Sequence, residues 1–438
     1  MLALALAVGA TSALEPLLTL AAAAGLALLA AVVFRPGALL LLLVAAFPWD
    51  GLLAFPSETV SAIKLLGALL LAGYLLRAAA NDDRLRFPSN LAAVLVFAIV
   101  TLVSLAASAD PGEGVNKSLR YLLFATFLFV LVQLLRSHKQ IMAVVRVLVV
   151  SSTAAAIVGL VAFLGGASER VSGPIEEAND FAFLLAATLP FAVGLAVEDR
   201  RWRVAWTAAG GVIALALLGT LSRGTLVGVA ALAVWALATG RVRIGGALAM
   251  TGVVASVLAL ALAFWQPLID ERLTQKNQIA DANVASRKAY WSAAARMAAD
   301  HPLLGVGPGR YSVMAEDYVR DDPIGIERPV AHNSYLEVLA EGGALALLAF
   351  LAFVVASWRL AVAARRRALA ADDLAGARLA SAIQAGLVVT IVAACFLSVQ
   401  IAAPLWLLGG LAAAAAGAGG PAAAVPAAPP RRRALLGA

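Results

Sequence analysis

The chain has 438 residues, of which 62% are hydrophobic and 13% charged, against about 45–50% apolar and about 25% charged in soluble domains. That balance excludes a soluble enzyme and predicts an all-α, polytopic integral membrane protein. The formal charge of +7 is read as topology rather than affinity for nucleic acid, because excess Lys and Arg gather in cytoplasmic loops, and the single cysteine, Cys395, excludes an internal disulfide.

Apolar runs long enough to cross the hydrocarbon core fall near 2–14, 16–34, 37–54, 60–77, 90–108, 118–136, 140–164, 180–197, 203–221, 223–240, 243–265, 333–358, 380–398 and 400–417. The first is short enough to be a half-helix or part of one longer opening span. No basic residues precede it, as they would in a cleaved signal peptide. Roughly twelve to fourteen transmembrane helices are expected. They divide into a bundle over 1–265, a large loop over 266–332, C-terminal helices over 333–417 and a low-complexity cytoplasmic tail over 418–438.

Charge sets the orientation. One alternating set of connections holds most of the 33 basic residues, in clusters such as Arg77/Arg84/Arg86, Arg200/Arg201/Arg203, Arg365/Arg366/Arg367 and Arg431/Arg432/Arg433. The opposite short connections hold only Lys64, Lys117, Arg120, Arg170 and Arg223. The positive-inside bias assigns the first set to the cytoplasm, so the long loop is expected outside.

That loop is too long and polar to cross a bilayer, yet it is patterned. Between Ser286 and Met297, apolar and aromatic residues recur at helical spacing around Tyr290 and Trp291, which predicts an amphipathic helix on the membrane surface or against the bundle. Three glycines and two prolines in His301-Pro302-Leu303-Leu304-Gly305-Val306-Gly307-Pro308-Gly309 enforce an irregular turn. At its end stands His332-Asn333-Ser334-Tyr335-Leu336-Glu337. Ser334 and Glu337 fit the S-x-x-E capping box, which puts His332 just before a helix start. Unpaired N–H groups and a partial positive charge there suit an anion such as phosphate. The same field disfavours imidazolium and leaves His332 able to accept a proton.

Arg223 lies in Leu221-Ser222-Arg223-Gly224-Thr225 between two apolar spans, on the side where arginine is scarce. An ionisable residue at membrane depth is costly and marks a binding site or pathway. The alternative is an arginine snorkelling to lipid headgroups, and the same pair of readings applies to Arg287. Near the span at 180, Asn179 or Asp180 is expected to cap the helix. His301, beside Pro302 in a turn, reads as structural, and His138, in an inner connection, as dispensable.

Taken in order, Ser222-Arg223-Gly224, the block from Arg287 through Trp291 to Gly309, and His332-Asn333-Ser334-Tyr335-Leu336 with Glu341-Gly342-Gly343 resemble the O-antigen ligase and O-antigen polymerase superfamily of bacterial envelope glycosyltransferases. The motif-bearing part of the resemblance covers about 180–345. The resemblance implies a multi-pass protein of the cytoplasmic (inner) membrane with its active site facing the periplasm. It implies transfer of a glycan from a polyprenyl (undecaprenyl) diphosphate carrier to an acceptor hydroxyl, on lipid A-core for a ligase and on another lipid-linked repeat unit for a polymerase. By the same resemblance His332 is the base and Arg223 and Arg287 hold the diphosphate; beside what the resemblance implies, Asn333, Glu337, Tyr335 and Asn179 are candidate supporting residues. Neither metal nor other cofactor is implied, and no Asp-x-Asp or His/Asp/Glu cluster suggests a metal site. Ligation is the first expectation, with repeat-unit polymerisation the close alternative. A lipid-linked glycan flippase or other transporter also fits many helices and buried arginines, but it should show paired repeats and interrupted helices, and the 200–345 pattern is not repeated.

Overall fold

The computed structural model describes residues 35–52, 62–81, 85–175, 177–241, 287–319 and 329–418. The expected spans at 2–14, 16–34 and 243–265 lie outside the described residues, as do 266–286, 320–328 and the tail from 419. Among the described residues the chain is all-α, without a strand. Its helices are α1 (Pro36–Ala46), α2 (Ala62–Asn81), α3 (Ser89–Ala107), α4 (Pro111–Leu134), α5 (His138–Leu164), α6 (Ala178–Glu198), α7 (Arg203–Gly219), α8 (Arg223–Ala238), α9 (287–300), α10 (Ser334–Ala370), α11 (Leu374–Ala393) and α12 (Ala403–Ala418). Six of them, α3, α4, α5, α6, α10 and α11, are long and apolar enough to cross a membrane, while α1, α7, α8 and α12 are shorter apolar helices.

Local chemistry sets the boundaries that hydropathy blurs. Pro111 opens α4 behind Asp110, whose carboxylate accepts from the Gly112 N–H at 3.1 Å, so α4 starts well before the expected 118. Ser137 and Gln140 form a reciprocal capping box at the start of α5. The expected span 333–358 becomes α10, which runs on to Ala370. Hydropathy marks only the lipid-embedded part, whereas Ala and Arg continue the helix into water.

α10 is central and packs against α3, α11 and α12, while α11 also meets α6 and α8. Small residues permit the close approach expected of membrane helices: Gly409 faces the Phe353 ring, Gly410 the Leu131 side chain and Gly386 the Leu408 side chain. Trp406 stacks between Phe124 and Phe353 at centroid distances of 5.4 and 5.1 Å. Asn90 of α3 donates to the Gly409 carbonyl at 2.8 Å and the Ser357 hydroxyl at 3.1 Å, a buried bridge from α3 to α12 and α10.

Because the helices alternate in direction, residues 108–110, 165–177, 220–222, 329–333 and 394–402 gather at one end of the bundle. The opposite end carries His138 beside Glu198, 3.6 Å apart, and Arg241 donating to Gln384 at 2.6 Å. All the motifs singled out in the sequence, other than His138, stand at the first end.

Candidate active site

The site is built on α9. Tyr290, Ala293, Ala294 and Met297, spaced one helical turn apart, are buried, and with Val306, Tyr311, Ala315, Ala331 and Ala340 they form a small core of their own. The helix therefore lies against the bundle through its apolar stripe, the second of the two placements expected. Tyr290 donates to Glu316 at 2.6 Å and receives at its own carbonyl the Tyr311 hydroxyl at 3.0 Å. Trp291 Nε1 donates to the Ala331 carbonyl at 2.8 Å, which fixes the residue immediately before His332. Arg287 is one turn back from Trp291 on the same face.

The glycine-rich turn has a partner in α10. That helix is interrupted at Gly343, whose backbone is left-handed and extended (φ 66°, ψ −170°), and residues 302–307 lie in the break. The Val306 and Gly307 N–H groups donate to the Ala340 and Glu341 carbonyls, both at 2.9 Å, and the Ala344 N–H donates to the Pro302 carbonyl at 2.8 Å. The carbonyls and N–H groups freed by the break are thus satisfied by the loop, as a low-dielectric setting requires. A Cβ at Gly343 would stand 2.2 Å from the Leu303 carbonyl carbon, and one at Gly305, also at positive φ, 2.3 Å from that of Glu341. Gly343→Ala is therefore expected to cost more than the 1–2 kcal/mol or so of a left-handed L-residue, because the loop must also move. A lowered thermal unfolding midpoint in detergent, together with new protease cleavage at 301–309, is the measurable result.

His332 follows this scaffold directly. It is half-buried, and its backbone is left-handed (φ 49°), a conformation that histidine tolerates better than most residues. Burial, and secondarily the Arg287 guanidinium, push its imidazole below the ordinary 6.5, while Glu177 and Glu337 act the other way. The imidazole is consequently neutral at physiological pH, and desolvation is the main cause.

The start of α10 differs from expectation. Asn333, not Ser334, is the N-cap, its Oδ1 accepting from the Tyr335 and Leu336 N–H groups at 3.1 Å each. The Ser334 N–H goes to the Ala394 and Leu397 carbonyls, and its hydroxyl donates to Leu397 at 2.7 Å. Glu337 reaches Lys117 instead of its own backbone, so the Ser334/Glu337 capping box does not form. The first N–H groups are already occupied, which removes them as a phosphate cradle and leaves anion binding to the arginines. Tyr335 donates to the Ile391 carbonyl at 2.9 Å and ties α10 to α11.

A second group adjoins His332. Arg170 Nε donates to the Thr220 carbonyl at 2.7 Å and its Nη2 to Asn179 Oδ1 at 3.1 Å, and Asn179 in turn donates to Glu177 at 2.8 Å. Burial lowers the guanidinium of Arg170 from its ordinary value; Glu177 opposes that shift and Arg287 adds to it. Asn179 thus orients an arginine and caps nothing. α6 begins one residue earlier, at Ala178 behind Glu177, with no side-chain cap, which also rules out Asp180.

Arg223 opens α8 and is exposed. It follows the strained Leu221 (φ 52°) and stands three residues from the carbonyl that Arg170 holds. Gly224 beside it packs on Phe396, where a Cβ would come within 2.6 Å, in the same connection that receives Ser334. Arg287 thus lies within electrostatic reach of His332, whereas Arg223 is linked to them through its neighbours, Gly224 on Phe396 and Thr220 under Arg170.

Sequence reasoning missed two elements. Arg170 was visible as a scarce outer cation, but nothing in its neighbours signalled a role. Lys117 Nζ lies 2.6 Å from both Glu337 Oε1 and Glu341 Oε2, and the Ser398 hydroxyl donates to Glu337 Oε2 at 2.5 Å. This buried cluster joins α4, α10 and the 394–399 connection one turn behind Asn333. His301 contributes backbone only, between the Met297 carbonyl and the Gly305 N–H, with its side chain exposed. Among the described residues no group of three or more His, Cys, Asp or Glu side chains could hold a metal ion. A cleft of about 810 Å³ at the opposite end, beside Arg146, Asp199 and Arg201, contains none of these groups.

A half-buried neutral imidazole beside guanidinium groups can accept a proton while an anion is held nearby, the arrangement needed when a phosphate ester leaves as a hydroxyl attacks. No curated protein matches the chain. Residues 208–351, from α7 to the middle of α10, match the family model described as O-antigen ligase. The matched stretch, about a third of the chain, contains Arg223, Arg287 and His332, and it supports membership of the O-antigen ligase superfamily.

Proposed function

We propose that this protein moves a glycan from a polyprenyl-diphosphate carrier to an acceptor hydroxyl on lipid A-core, at the outer face of the cytoplasmic membrane. The observation that carries the reading is the pairing of neutral His332 with Arg287, both aligned by the Trp291 hydrogen bond to Ala331. The acceptor oxygen attacks the anomeric carbon and gives its proton to His332. The bond from that carbon to the diphosphate oxygen breaks, and the negative charge gathered there is met by Arg287 and Arg223, with Arg170 adding its field. Guanidinium suits the task because it stays charged and can contact two phosphate oxygens. The donor enters sideways between helices and leaves its prenyl chain in lipid. The clusters Arg200/Arg201/Arg203 and Arg365/Arg366/Arg367 at the far end of the bundle support an outward-facing site.

The test is to incubate purified protein with polyprenyl-diphosphate glycan, with and without lipid A-core, and size the products. Glycan on lipid A-core is expected. Elongation of the lipid-linked glycan without that acceptor would make the protein a polymerase, and no transfer in either mixture would end the reading.

A further inference from the structure

A second cavity, of about 160 Å³, opens at the same end of the bundle between α1, α2, α4, α6 and the residues leading into α12. Its walls carry Asp50, Lys64, Arg120 and Asp180, together with the rings of Phe124 and Phe127. Both rings are held in place: Phe124 lies parallel to Trp406, and Phe127 meets Phe47 edge-on at 5.4 Å. The first turn of α6 divides this cavity from the arginine group. Successive residues on a helix point about 100° apart, so Asn179 serves Arg170 while Asp180 lines the cavity. The carboxylates of Glu177 and Glu337 lie within electrostatic reach of both Asp180 and His332, which puts the cavity close to the reacting end.

The cavity and the arginine group differ in charge. Arg170, Arg223 and Arg287 outnumber Glu177, which favours a dianionic ligand. The cavity sets two carboxylates against two cations, so a diphosphate gains no net attraction there. Acceptors and donors of both signs around an apolar, aromatic wall are the features that orient a neutral polar ligand. We infer that this cavity binds the saccharide end of the acceptor, a polyhydroxylated ring whose hydroxyls bridge the carboxylates and the cations while its apolar face lies on Phe124 and Phe127. The assignment rests on the glycosyl-transfer reading above and names where its second substrate sits.

The test uses the full-length protein with Asp180→Asn and, separately, Arg120→Gln at an exposed position. In steady-state transfer, KM for lipid A-core is expected to rise about tenfold to a hundredfold, the loss of a hydrogen bond to a charged group, while KM for the donor stays near wild type. Binding of a lipid-free core oligosaccharide to the solubilised protein is measured in parallel. Weaker oligosaccharide binding in the variants supports the cavity even if the wild type transfers nothing, the result that would sink the transfer reading alone. Unchanged oligosaccharide affinity in both variants, or equal rises in both KM values, overturns it.

Discussion

Replacing His332 with alanine is expected to reduce glycan transfer by about 10²- to 10⁴-fold, the usual contribution of a positioned general base, without preventing membrane insertion. The fold does not depend on this side chain. Asn333 caps α10, Ser334 fastens it to residues 394–399, and Trp291 holds the preceding carbonyl. The pH dependence gives an independent check with a fixed sign. A base acts when neutral, and the imidazole of His332 titrates below 6.5. For the wild type, kcat/KM should therefore be on its plateau at neutral pH and fall only as pH drops through that lowered value. Because Arg287 is one cause of the lowering, Arg287→Gln should move the acid limb to higher pH as well as weaken donor binding. Wild-type turnover in His332→Ala, or an acid limb that Arg287→Gln leaves in place, would remove His332 from the chemistry.

The class of fold was legible because lipid imposes a coarse rule that composition obeys: long apolar runs become helices. Finer features depended on contacts that no local pattern contains. Asn333 is as good an N-cap as Ser334, and the choice between them is made by the Leu397 carbonyl some sixty residues away, which takes the Ser334 hydroxyl. Glu337 fits a capping box in sequence but is drawn off by Lys117, 220 residues distant. The glycines at 305 and 343 could be read as punctuation, yet not that each exists to accommodate the other's segment. His332 stood out in the sequence because the chain has three histidines in all, and Arg287 because it opens the patterned block that leads to Trp291. Arg170 and Lys117, among the few basic residues of the outer short connections, were passed over because Thr220, Glu337 and Glu341, which they hold, lie fifty residues or more away in sequence.

Lys117→Met is expected to be the most damaging substitution away from the reacting groups, costing about 3–5 kcal/mol, as when one partner of a buried ion pair is removed. A single ammonium lies 2.6 Å from each of two carboxylates, so its removal leaves two buried negative charges facing each other with only Ser398 as donor to Glu337. Glu341→Gln separates charge from structure, since it leaves a one-to-one pair of Lys117 and Glu337 and keeps a polar group of the same size in contact with the ammonium. Its loss of stability should be much the smaller. The triple change Lys117→Met, Glu337→Gln, Glu341→Gln, which removes every charge together, should recover much of what Lys117→Met loses. Thermal unfolding midpoints of the four proteins in one detergent decide the matter. Equal midpoints for Lys117→Met and Glu341→Gln would mean that the ammonium is not what holds the carboxylates there. If the ordering is as expected, transfer should fail in Lys117→Met even below its unfolding temperature, because the turn that carries Asn333 and aims His332 is seated on this cluster.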